Sequence, residues 1–249
     1  METILLNKLS TLAPKGCSKE KTKDKTSTML DELDELQNLM FAENKHSLLI
    51  VIQGMDASGK DGLINDVFTS LNPQGIHVRS WKAPTQEELA HDFLWRIHQH
   101  APAKGMIAIH NRSHYEDVLV TRVHSLIDDV DAKKRFKAIN NFEELLTTNN
   151  NTTILKFFLH ISKEEQTARL NERMQIPEKM WKYNENDFKE SERWDTYMKY
   201  YEDAFANCAK IPWNIIPSDQ NWYKNYLVAQ KILATLRAFK MKFPGMKKS

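Results

Sequence analysis

At 249 residues, with 41% hydrophobic and 27% charged side chains, the chain is long enough for one large α/β domain or one domain with a helical extension. No apolar run approaches bilayer-spanning length, and the METILLNKLS start lacks the regions of a secretory signal, so a cytoplasmic protein with no membrane partner is expected. A net charge of +2 and two distant cysteines, Cys17 and Cys208, argue against a bulk nucleic-acid binder and against a disulfide framework; any polyanion must be held by local clusters.

Residues 1–27 carry Lys15, Lys19, Lys21, Lys23 and Lys25 against Glu20 and Asp24, and read as an extended, solvated arm. Met29, Leu30, Leu33, Leu36, Leu39 and Met40 then recur at helical spacing, which predicts an amphipathic helix. The expected division is an arm and helix over 1–44 and a main domain over 45–249.

The main domain opens on an apolar strand, Leu48 to Gln53, followed by Gly54, Met55, Asp56, Ala57, Ser58, Gly59, Lys60, Asp61 and Gly62. A strand running into G-x-x-x-x-G-K and then a helix is a phosphate cradle: backbone N–H groups and a helix N-terminus face the anion, and Lys60 adds a point charge. Three of the chain's seven glycines sit in these nine residues, so backbone conformation is what this stretch specifies. The position after the lysine, where a Ser or Thr hydroxyl usually holds Mg²⁺, is Asp61. Asp56 is therefore the candidate for the metal.

Leu63, Ile64, Val67, Phe68 and Leu71 give the inner face of the next helix, which Asn72-Pro73-Gln74-Gly75 ends. Ile76 to Lys82 reads as a second strand. Thr85 with Glu88 forms a capping box, ahead of a helix with Leu89, Phe93, Leu94 and Ile97 as its buried stripe. Met106 to Ile109 is a third strand, Asp131 to Thr148 a helix and Thr153 to Leu159 a fourth strand. A last strand, Trp213 to Ile216, precedes a closing helix, Trp222 to Met241. Strands alternating with helices predict a five-stranded parallel sheet covered on both faces, with ligands at the carboxyl ends of the strands.

After the third strand comes His110-Asn-Arg-Ser-His-Tyr-Glu-Asp117. The usual acid of this strand end is replaced by Asn111, and Glu116 and Asp117 follow. Arg112 and Arg122 suit bidentate contacts to phosphate oxygens. A third cluster lies in an insertion at about 163–203, between the fourth and fifth strands. Arg169 and Arg173 share a helix face, Pro177 breaks the helix, and Lys179, Lys182 and Arg193 follow. Asp187 with Glu190 is expected to cap a further helix, whose stripe is Trp194, Tyr197, Met198, Tyr201 and Phe205. Such a hairpin reads as a lid that brings cations onto a transferring phosphate; each cation alone is equally compatible with a solvated, salt-bridged face. The nine histidines show no zinc-site spacing.

In order, GMDASGKDG, PT-x-EEL-x-HDFLWR, NRSHYEDVLVTRVH, ERM-x-IPEKMWK and DFKESERWDTY resemble the family-2 polyphosphate kinases from about Asp31 to the last helix. The resemblance implies a P-loop kinase three-layer sandwich with a helical lid. It also implies phosphoryl transfer between inorganic polyphosphate and AMP, ADP or ATP with Mg²⁺, in a homo-oligomer (dimer or tetramer). On the matching positions it implies roles for Asp56, Lys60 and Arg112, and for Arg169, Arg173, Lys179 and Lys182 as lid cations. Many relatives carry Asp where this chain has Asn111, and Asn where it has Glu116. The NRSHYED form resembles the subgroup acting on both mono- and diphosphates, so AMP to ADP to ATP is the expected reaction and the metal role shifts toward Asp117. Two other readings are an ATP-dependent nucleoside monophosphate kinase of the thymidylate-kinase type and a P-loop scaffold without turnover.

Overall fold

The β-branched and aromatic runs form five strands in the computed structural model, which describes residues 4–246. They are β1 (Ser47–Gln53), β2 (Ile76–Ser80), β3 (Ile107–Asn111), β4 (Thr152–His160) and β5 (Trp213–Pro217). All pair in parallel, in the order β2-β3-β1-β4-β5. β1, β3 and nearly all of β4 are buried on both faces, which is why they read as unbroken apolar runs rather than alternating ones. β2 is an edge and largely exposed.

The helices are α1 (Lys19–Glu43), α2 (Lys60–Phe68), α3 (Gln86–Leu89), α4 (Trp95–His98), α5 (Val120–Val123), α6 (Asp129–Asn149), α7 (Lys163–Gln175), α8 (Pro177–Met180), α9 (Glu185–Glu192), α10 (Trp194–Asn207) and α11 (Asn221–Ala238). One face of the sheet buries Leu48, Ile50, Ile109 and Phe157 under α1, α2 and α11. The other buries Leu49, Val51 and Phe158 under the residues after β3, α6 and α10. The alternation of Leu48/Ile50 against Leu49/Val51 is the period-two consequence of strand geometry. The result is the α/β three-layer sandwich expected.

Several local expectations are corrected. The lysine-rich stretch is not extended: Ser18 caps the N–H of Lys21, and α1 runs straight through Lys19–Lys25 to Asn44, whose left-handed backbone ends it. Charged residues on the solvent face of a long helix are tolerated as well as in a coil. Further back, Leu6 is buried, its N–H donating to Glu202 Oε1 at 2.7 Å. The capping box of Thr85 and Glu88 forms, yet α3 lasts one turn and Leu89 is exposed, with Phe93, Leu94 and Ile97 carried inward by a bend before α4. α9 is capped by Asn184, not Asp187, because Asp187 is taken by Arg173. A break at Arg193 separates α9 from α10, which buries Tyr197, Tyr201 and Phe205 as the stripe predicts.

Candidate active site at the carboxyl end of the sheet

β1 ends at Gln53 and the chain turns through Gly54 (φ +153°), Ala57 (φ +61°) and Gly59 (φ +91°) into α2. A Cβ on Gly54 would stand 2.8 Å from Ser58 Oγ and 3.0 Å from the Leu159 carbonyl, so β4 leaves no room for a side chain there. The loop's carbonyls are held from outside. Lys60 Nζ donates to Gly54 O (2.7 Å) and Met55 O (3.0 Å), Gln166 Nε2 to Asp56 O (3.0 Å), Arg169 Nη1 to Ala57 O (3.1 Å), and Lys224 Nζ to Gly59 O (3.0 Å). With these carbonyls engaged, the first N–H groups of α2, which no side chain caps, are left for an external acceptor. Ser58 Oγ is buried without a partner. Both features suit an anion.

The end of β3 delivers the second half. Arg112 adopts φ +64°, a conformation costly for a residue bearing a Cβ, and is held in it by its N–H donating to Ile52 O at 2.9 Å. Its guanidinium lies 2.5 Å from Asp56 Oδ1 and 3.7 Å from Glu116 Oε2. Glu116 and Asp56 favour its charged form. Asn111 Nδ2 donates to Asp61 Oδ1 at 2.8 Å. Burial pulls the Lys60 ammonium down to about 8, with Arg112 pushing the same way and Asp56, Glu116 and Asp61 opposing. An incoming phosphate would restore its full charge.

This second loop is anchored underneath. Tyr115 Oη donates to Glu143 Oε1 at 2.8 Å, and Lys156 Nζ reaches Tyr115 Oη (2.8 Å), Glu143 Oε2 (3.0 Å) and Cys208 O (2.9 Å), all buried. His114 Nε2 stands 3.4 Å from Glu143.

Asp56, Lys60, Asp61, Arg112 and Glu116 thus converge. Three further expected residues have protein partners of their own. Asp117 lies between Arg96 (3.9 Å) and Arg135 (3.4 Å), and burial lifts its carboxyl to about 6 against those two charges. Its Oδ2 is buried without a hydrogen-bond donor. Arg122 forks between Asp129 (2.7 Å) and Asp203 (2.6 Å) and lies over the Tyr200 ring at 4.0 Å. Arg193 donates to Val123 O at 3.0 Å. The buried Arg122 must be paired, and its partners come from α6 and α10, while the exposed Arg193 finds its acceptor on α5.

The expected lid cations divide. Arg169 faces inward and fastens the phosphate loop to Ser218 O and Asp219 O (2.9 Å each), a holding role that the sequence reading did not give it. Arg173 pairs with Asp187 and Lys179 with Glu172. Lys182 spans the cleft to Asp61 Oδ2 at 3.5 Å. Lys224, Gln166 and the Lys156–Glu143 pair escaped the sequence reading. Lys224 left one trace there: it stands four residues before Val228, on the buried stripe of α11, where an ionisable side chain needs a reason.

Three comparisons bear on this site. Residues 16–244 match the family model described as Polyphosphate kinase 2. The chain is 48% identical over 214 residues to the AMP/ADP-polyphosphate phosphotransferase of Meiothermus ruber, covering 85% of this chain and 80% of that one. It is 40% identical over 241 residues to the ADP-polyphosphate phosphotransferase of Rhodopseudomonas palustris, covering 91% and 83%. The crystal structure of Polyphosphate Kinase 2 from Arthrobacter aurescens TC1 superposes with a TM-score of 0.94 at 38% identity, over 98% of this chain and 89% of that one. A loop whose carbonyls are tied back around Lys60, facing Arg112 across Asp56, is thus set in a chain that belongs to the polyphosphate kinase 2 family.

Proposed function

We propose that the protein transfers phosphoryl groups from inorganic polyphosphate to AMP and to ADP, forming ADP and ATP. The observation that carries this reading is the pairing of a prepared anion cradle with Lys60 and Arg112 in a chain of this family. The names of its relatives, which include both an AMP/ADP- and an ADP-polyphosphate phosphotransferase, support the two acceptors. The family match does not favour the ATP-dependent nucleoside monophosphate kinase.

The acceptor is an anionic phosphate oxygen, so the step needs no general base. A nucleotide oxygen forms a bond to the terminal phosphorus of the chain as the bridging P–O bond breaks, and the shortened polyphosphate leaves with that oxygen. Lys60 and Arg112 neutralise the charge spreading over the equatorial oxygens, and the N-terminus of α2 orients them. Arg112 is half-exposed on the cleft and can exchange Asp56 for a phosphate.

Mg²⁺ asks for one or two carboxylates plus substrate phosphates rather than a full protein cage. Asp56 and Glu116, both turned to Arg112, fit that need, with Asp61 adjacent. When bound, the ion would neutralise phosphate charge there. The same reading includes a cytoplasmic homo-oligomer, dimer or tetramer; among the described residues no helix is long and apolar enough to cross a membrane.

The test is purified protein with AMP, Mg²⁺ and polyphosphate as the sole phosphoryl source, products resolved by chromatography. ADP followed by ATP is expected. Product from ATP but none from polyphosphate would overturn the reading.

A further inference from the structure

We propose that Asp219, just past β5, is a positioning residue for phosphoryl transfer, and that residues 4–13 act on the phosphate loop through it. The inference rests on the phosphotransferase reading above and names what keeps that loop in shape.

The loop is clamped by α7. Gln166 and Arg169 stand three apart on one face of that helix and hold the carbonyls of Asp56 (3.0 Å) and Ala57 (3.1 Å). Ala57 is a non-glycine residue at positive φ, so the backbone there needs holding. The clamp is no firmer than the seating of α7 itself, and Asp219 seats α7 at two levels. Its Oδ1 accepts the N–H of Ser162, the cap residue of α7, at 2.8 Å. Its backbone carbonyl accepts Arg169 Nη2 at 2.9 Å. A carboxylate at a helix N-terminus is further favoured by the helix dipole.

The second carboxylate oxygen reaches the N-terminal segment. Thr11 Oγ1 donates to Asp219 Oδ2 at 2.7 Å, and the Asp219 N–H donates in return to Thr11 O at 3.1 Å. This reciprocal pair fixes both the backbone and the rotamer of Asp219. The segment is tied on either side of Thr11 as well. Leu6 N–H donates to Glu202 Oε1 of α10, Leu9 O lies 3.3 Å from His160 Nε2, and Ala13 N–H donates to Gln220 Oε1 at 3.0 Å. These contacts carry it across the ends of β4 and β5. What orients Asp219 therefore comes from a segment remote in sequence from every phosphate-binding residue, and the path runs Thr11, Asp219, α7, phosphate loop.

Steady-state kinetics and hydrogen–deuterium exchange test this on the wild type, Asp219→Ala, Asp219→Asn, Thr11→Val and Thr11→Ser, each below its melting temperature. Asp219→Ala frees Ser162 and Thr11 together. It should lower kcat about tenfold or more with the KM for AMP within about threefold, because displaced groups fail to align the transferring phosphate. Asp219→Asn can still accept from Ser162 and donate to the Thr11 hydroxyl, and should keep kcat within about threefold of the wild type. Thr11→Val should lower kcat about two- to fivefold, and Thr11→Ser, which keeps the hydroxyl, should not. Adding Thr11→Val to Asp219→Ala should lower kcat no further, since both lose the same bond. Amides of residues 54–63 should exchange faster in Asp219→Ala and Thr11→Val, and at the wild-type rate in Asp219→Asn and Thr11→Ser. Unchanged exchange of 54–63 in Asp219→Ala, equal losses in its alanine and asparagine variants, or a loss that falls on the KM for AMP would overturn the inference. If Asp219→Ala does not fold, unchanged exchange in Thr11→Val overturns it instead. Exchange needs no turnover, which separates the two readings. Faster loop exchange in the variants, beside a wild type that forms no product from polyphosphate, would sink the phosphotransferase reading alone.

Discussion

Lys224, from the closing helix, donates to the carbonyl of Gly59 at 3.0 Å and so grips the phosphate loop from behind. Asn221 Oδ1 takes a second hydrogen at 2.8 Å. The contact joins residues 165 apart in sequence and fixes the entry to α2, whose N-terminus no side chain caps.

Burial, with the charge of Arg169 beside it, brings the Lys224 ammonium down to about 7. An unfolded lysine titrates near 10.4, so between those values the unfolded chain holds a proton that the folded one does not. Stability therefore rises with pH above about 7, and the gain is absent below it, where both states are protonated. Thermal melts of the wild type and of Lys224→Met from pH 6 to pH 9 isolate the contribution. The wild type should gain on the order of 2 kcal/mol more than the variant between pH 7 and pH 9. Identical slopes would show that the buried amine does not titrate in this window.

Arg112 joins Asp56 and Glu116 through a planar fork that a lysine cannot reproduce. Arg112→Lys is expected to lower kcat by on the order of 10²- to 10³-fold with the fold retained, since the lost contacts are ones strengthened as charge develops. Asp56→Asn should fall similarly, because Asp56 holds Arg112 and would offer a ligand to the proposed ion. Steady-state rates and circular dichroism melts check both, and a near-normal kcat in either folded variant would remove that residue from the chemistry.

The Lys156–Glu143 pair is fully buried under Tyr115, three residues beyond Arg112. Lys156→Met leaves the buried Glu143 without its lysine, with only Tyr115 and His114 beside it, which costs up to about 3–5 kcal/mol. The double variant Lys156→Met/Glu143→Leu removes both charges and should recover most of that loss. Urea unfolding of the three proteins tests it; equal stability of the single variant and the wild type would mean the pair is not coupled.

Much of this molecule was legible in its residues. The three central strands read as apolar runs because central parallel strands are buried on both sides, and the phosphate loop read from glycine placement, because Gly54 and Gly59 take positive φ there. Thr85 announced its helix, since a cap is a contact between residues three apart. Local rules failed where two signals competed. The lysine run at 19–25 suggested coil by charge, but Ser18 and the apolar stripe behind it impose a helix. Asp187 suggested a cap by spacing, but Arg173 claimed it.

The division of labour among the charges was settled by tertiary structure alone. Sequence placed Arg112 and Arg122 after the third strand and Arg169 and Arg193 in the lid insertion, and could not rank them, because a guanidinium reaches several ångströms in any direction. Folding brought Asp129 and Asp203 to Arg122, Val123 O to Arg193, and the loop carbonyls to Arg169, leaving Arg112 on the cleft. Sequence determines local conformation through steric and hydrogen-bonding preferences within a few residues. Which charge faces a substrate depends on who its neighbours are, and those arrive from distant segments when the sheet assembles.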